Sequence, residues 1–162
     1  MNQTHIHLLI THLPIFGSML GALVLLHGIG VKSDQTKIAA YYVFILSAIG
    51  AAVAYLTGEG AEEVVEKIQG VVEESIKIHE DSATVTLISL ILLGTTSIIG
   101  VYLTFKKSIY TTALAFIVLF VSIFSFILVA RTGYLGGKIR HTEVNDSIIL
   151  NTIGTSKEED KN

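Results

Sequence analysis

Charged side chains divide the chain into four long uncharged stretches. Asp, Glu, Lys and Arg are absent from 1–31, 38–58, 82–105 and 108–130. A helix that crosses a bilayer needs roughly 20 mostly apolar residues, and each stretch is long enough for one crossing. A soluble bundle would carry a charged stripe along every helix instead. The pattern predicts an all-α fold, an up-down bundle of four transmembrane helices with spans at about 6–31, 38–58, 82–105 and 108–130.

The polar segments complete the picture. Residues 59–81 alternate acids with Val64, Val65, Ile68, Val71, Val72, Ile76 and Ile78. This predicts a short amphipathic outer segment between spans two and three, broken at Gly70, with the second part running into span three. Span four is expected to continue outward to about residue 141. Residues 1–150 then form one domain, and 151–162 a flexible polar tail. Small residues recur four apart at Gly17 and Gly21, at Gly50, Ala54 and Gly58, and at Gly133 and Gly137. That spacing places each set on one helix face, where backbones approach closely in lipid.

Composition agrees. Of 162 residues, 51% are hydrophobic and 15% charged, against about 25% charged in soluble domains. The chain has no Cys. Disulfides, thiolate zinc sites, iron–sulfur clusters and covalent c-type heme attachment are therefore excluded. A net charge of −3 argues against a nucleic-acid partner, which would need a basic surface. The first uncharged stretch lacks a basic leader and does not read as a cleaved signal.

Orientation follows from Lys and Arg in the short connections. Lys32, Lys37, Lys106 and Lys107 stand there against Asp34 alone. Those connections are expected to face the cytoplasm. Both termini and the acidic segment 59–81 then lie on the outer side, although Arg131, Lys138 and Arg140 run against the rule.

With that orientation, five of six His share the outer face. His5, His7 and His12 begin span one, His79 precedes span three, and His141 follows span four; His27 stands alone at the inner end. A single His at such a level is ordinarily an interfacial residue. Three helices presenting His at one level point to a ligand set, since neutral imidazole binds metals and heme iron. His12, beside Pro14, is the leading ligand. His12 with His79 is the preferred axial pair, with His12–His141 and His7–His79 as alternatives. Arg131, Tyr134, Lys138 and His141 fall on one side of helix four if it persists through Gly136-Gly137. Snorkelling to the interface explains the basic residues equally well, but heme propionates would be matched by these cations. The rival is a non-heme transition-metal site adding Glu59 and Glu62 to the His set. The sequence contains neither Glu-x-x-His nor His-Glu-x-x-His, and most of its acids read as a solvated face.

Four segments carry a resemblance. They are His12-Leu13-Pro14-Ile15, Thr57-Gly58-Glu59-Gly60-Ala61-Glu62-Glu63, His79-Glu80, and Gly133-Tyr134-Leu135-Gly136-Gly137 followed by His141. In order and spacing the chain resembles the bacterial four-span membrane family catalogued as domain of unknown function 2231, over nearly all its length up to about His141. Some members are joined to c-type cytochrome modules, which implies respiratory electron transfer at the outer face. The matching positions are His12, His79 and His141.

The expectation is a b-type cytochrome-like membrane protein that binds heme b and passes electrons between membrane quinone and an outer c-type cytochrome. It reads as an electron-transfer subunit more than a stand-alone enzyme. The alternatives are a non-heme metal-binding membrane protein and a structural subunit of a larger redox complex or homo-oligomer. Charge-free spans without paired broken helices disfavour a transporter.

Overall fold

The computed structural model describes residues 3–65, 71 and 73–140. Five helices follow in order: α1 (Gln3–Ile10), α2 (His12–Gly30), α3 (Asp34–Val65), α4 (Glu73–Phe105) and α5 (Thr111–Arg140). Four segments are long and apolar enough to cross a membrane: His5–Gly30, Asp34–Val64, Glu73–Phe105 and Thr111–Ile139. The chain is an all-α, multi-pass membrane protein built as a four-helix bundle. Helices α2 and α4 each pack against α3 and α5, so neighbours run antiparallel around the bundle, and α1 leans on α3.

The bundle is inverted relative to a water-soluble one. Ser18, Ser47, Ser97, Ser122 and Ser125 are fully buried, while Leu23, Ile88, Ile98, Phe120 and Ile127 face outward. Ser18 donates to the Pro14 carbonyl at 2.7 Å and Ser47 to the Val43 carbonyl at 2.8 Å, which satisfies both hydroxyls. Lipid supplies no hydrophobic drive between helices, so association rests on close packing and interhelical hydrogen bonds. Glycines permit that approach. A Cβ on Gly94 would lie 2.7 Å from Ala48 Cβ, and one on Gly100 2.7 Å from the Tyr41 ring. Gly17 and Gly21 face Ser47 and Phe44 of α3, Gly50 faces Leu13, and Gly133 faces Ile15. Gly137, expected on a packing face, has nothing within 4 Å. Tyr41, Phe44, Leu25, Leu90, Leu93 and Val118 fill the remaining core.

Two boundaries differ from the sequence-based expectation. Helix one is interrupted at Thr11, because Pro14 has no N–H for the Ile10 carbonyl and its ring crowds that group. Thr11 keeps helical angles (φ −60°, ψ −24°), so the interruption is slight. The first part of the outer segment is not a separate helix. It continues α3 to Val65, and α4 already begins at Glu73. The expected break at Gly70, the tail 151–162 and His141 lie outside the described residues.

Both short loops close in the same way. After α2, Lys32 N–H donates to the Ile29 carbonyl (3.2 Å) and Ser33 N–H to the Gly28 carbonyl (2.9 Å). After α4, Lys107 N–H donates to Thr104 (3.0 Å) and Ser108 N–H to Leu103 (3.0 Å). This is the Schellman pattern, whose left-handed residue is usually Gly. Here it is Lys32 (φ 54°) and Lys107 (φ 50°).

Three outcomes follow for the detergent-solubilised protein in a denaturant titration. Gly100→Ala should lower stability by about 1–3 kcal/mol, because the fully buried Tyr41 ring must shift. Gly30→Ala, with nothing within 4 Å, should leave it unchanged or slightly higher. Lys107→Gly should raise stability by up to about 1 kcal/mol by relieving the left-handed backbone. An unchanged Gly100→Ala midpoint would count against the close α3–α4 approach, and a lowered Lys107→Gly midpoint against strain at the loop.

Candidate functional site

The end of the bundle where α1 begins, α3 ends, α4 begins and α5 ends gathers the imidazoles. His7 lies on α1, which the interruption at Thr11 separates from α2. Its Nδ1 sits 2.8 Å from the Ala54 carbonyl of α3. His79 lies on α4, ahead of the uncharged stretch. Its Nδ1 sits 3.1 Å from the Thr132 carbonyl of α5. A carbonyl cannot donate, so each Nδ1 carries the proton, and in the neutral ring each Nε2 keeps a free lone pair. Both rings are half-buried.

Each ring has a tailored seat. A Cβ on Gly136 would come 3.0 Å from His79 Cε1, so the close fit of that ring depends on a glycine in α5. A Cβ on Gly58 would lie 3.7 Å from His7 Cε1, an ordinary contact, and Thr57 donates a hydroxyl to the same Ala54 carbonyl at 3.2 Å. Thr132 is a hub. Its hydroxyl bonds both Ser82 and Thr86 of α4 at 2.8 Å, while its carbonyl accepts from His79. The hydroxyl pair on α4 is spaced i, i+4 and so shares the face that meets α5.

The remaining expected site residues are placed differently. His12 is exposed. Its Nδ1 bonds the Leu8 carbonyl of its own segment at 2.8 Å, and its ring stacks on Phe16 with centroids 6.2 Å apart. His7, rather than His12, therefore bonds a neighbouring helix, as His79 does. His141 lies outside the described residues. Arg131, Tyr134 and Lys138 do share one face of α5, which continues as helix through Gly136-Gly137. Helical periodicity puts that face roughly opposite Thr132 and Gly136, where His79 sits. Lys138 Nζ lies 4.9 Å from the centroid of the exposed Tyr134 ring, a cation–π contact. Glu59 is exposed and Glu62 half-buried on the last turns of α3. Among the described residues, no group of three or more His, Asp or Glu converges as a metal ion would require.

Sequence reasoning ranked His7 behind His12 and passed over Thr132 and Gly136. Pro14 was the signal for His7, since a proline interrupts the turn before it and gives the residues upstream a separate direction. Thr132 could be found only by pairing it with the spaced hydroxyls Ser82 and Thr86.

Comparisons with family models, with curated proteins and with solved structures found no match to this chain.

Thr132→Val should keep the carbonyl that holds His79 but lose both hydroxyl bonds. The expected cost is about 0.6–1.7 kcal/mol in a denaturant titration. No loss at all would mean that Ser82 and Thr86 find other partners and that the hub contributes nothing to stability.

Proposed function

We propose that the protein is a b-type cytochrome-like membrane subunit that binds heme b through His7 and His79 at the end of the bundle carrying the N-terminus. The observation that carries this reading is the shared arrangement of the two rings. Each donates Nδ1–H to a backbone carbonyl of a neighbouring helix, which fixes the tautomer and leaves Nε2 available. That is the support which metal-ligating imidazoles ordinarily have. Heme iron takes four nitrogens from its porphyrin, so one or two protein ligands suffice. A protein-only metal site needs three or four, and this favours heme over the non-heme alternative among the described residues.

When bound, heme would supply one-electron chemistry. The protein's own contribution is positional. The Ala54 and Thr132 carbonyls orient the imidazoles, Gly136 leaves room for the His79 ring, and the Ser82–Thr132–Thr86 hydroxyls lock α4 to α5 below it. In this reading Arg131, Tyr134 and Lys138 belong to the membrane–water boundary, where snorkelling cations sit. The lysines of both short loops support a cytoplasmic position for the loop end of the bundle. The site and both termini then face the periplasm of a bacterial inner membrane, within reach of membrane quinone and an outer c-type cytochrome. The two seats are built from the segments that resemble domain of unknown function 2231: Thr57-Gly58 beside His7, and Gly136 beside His79. Membership of that family is part of the proposal.

Absorption spectra of the purified full chain, incubated with hemin and then reduced, test the reading. A Soret band with resolved α and β bands is expected. His7→Ala and His79→Ala should each abolish the low-spin spectrum, and His12→Ala should retain it. A folded protein that takes up no hemin overturns the proposal. If such a protein instead carries stoichiometric zinc, copper or iron, the non-heme reading replaces it.

A further inference from the structure

The opposite end of the bundle holds a second polar feature, independent of the histidines. A cleft of about 450 Å³ opens where α2, α3 and α5 meet, lined by Lys32, Asp34, Lys37, Thr112, Ile29 and Phe116. Lys37 is 6% exposed, an unusual burial for lysine. Its Nζ donates to Asp34 Oδ1 at 2.7 Å. An ammonium has three donors, so this bond leaves two for another acceptor. Lys32 stands on the left-handed loop residue, exposed, and no carboxylate pairs with it among the described residues. Two cations and one anion give the cleft a net charge of +1. A phosphodiester carries one negative charge and balances it.

The walls are graded in polarity. Thr112 lies in the first turn of α5 at the level of the lysines. Phe116 follows about one turn deeper, roughly 6 Å along the axis, and is 54% exposed on the outward surface of the bundle. Ile29 forms the facing wall near the end of α2. A small soluble anion would use only the upper part of such a cleft. An amphiphile with an anionic head and a hydrocarbon tail uses all of it.

We infer that the cleft between Lys32, Lys37 and Phe116 is a binding site for an anionic phospholipid, with the head-group phosphate on the two lysines and an acyl chain along Phe116 and Ile29. Basic pockets between transmembrane helices recognise lipid head groups by this charge complementarity. The left-handed backbone at Lys32 fits the same reading, since Gly would be the lower-energy residue there but would bring no charge to the cleft.

Native mass spectrometry of the full chain, released from micelles containing equal phosphatidylglycerol and phosphatidylcholine, tests the inference. Phosphatidylglycerol should be retained preferentially. Lys32→Gly, which suits the loop backbone, should weaken that retention about fivefold, the effect of one lysine near a charged lipid. Lys37→Met should abolish the preference. Lys106→Ala should leave it unchanged, because Lys106 sits on the other loop over the Tyr102 ring at 5.9 Å. Equal retention of both lipids, or undiminished preference in Lys32→Gly, overturns the proposal. Displacement of the lipid by millimolar inorganic phosphate overturns the lipid assignment, because it marks the cleft as a site for free anions.

Discussion

Close approach of helix backbones is the constraint on which this structure depends. In lipid, a leucine gains little by leaving the hydrocarbon for another helix, so the bundle is held where atoms can touch most densely. That condition puts serine and glycine inside and the large aliphatic and aromatic residues outside. It also governs the histidine end. The His79 ring can reach the Thr132 carbonyl only because α4 and α5 run close together, with Gly136 giving up its side-chain volume to the imidazole.

The fold was largely legible because charge is costly in hydrocarbon and its absence marks a crossing. The same signal ended α3 too early. Charge records where the membrane stops, whereas a helix stops where its backbone bonds fail. Glu59, Glu62 and Glu63 are compatible with helix, so α3 continues past its apolar part to Val65. The site was legible in part. Histidine placement in the sequence put His7 and His79 at one end of the bundle, where the structure has them, and i, i+3, i+7 spacing gathered Arg131, Tyr134 and Lys138 on one face of α5. Spacing cannot say which way a face turns. These three residues point away from the imidazole seat, and His12 turns back on its own segment, because those outcomes depend on how neighbouring helices are rotated. Local sequence does not encode that rotation.

The two ends of the bundle handle polarity differently. At the histidine end, polar atoms are matched internally, ring to carbonyl and hydroxyl to hydroxyl, and the free chemistry is left on Nε2. At the loop end the polarity is ionic, with Lys37 buried against Asp34 and no carboxylate paired with Lys32 among the described residues. Between them the interior combines serines with Tyr41, Phe44 and leucines, and the Tyr41 and Ser97 hydroxyls lack partners among the described residues. A four-helix scaffold thus keeps two chemically distinct ends apart, and the fold itself prescribes neither function.

The paired loop closures carry a geometric consequence. Each reverses the chain through one left-handed residue and leaves no slack between consecutive helices. Inserting or deleting a single residue there would spin the next helix by about 100°. After the first loop, an insertion would carry Tyr41 and Phe44 out of the core and swing Tyr42 and Leu46, now outward, towards it. Loops of three and five residues therefore set the azimuth of a whole membrane crossing, and with it which side chains ever meet lipid.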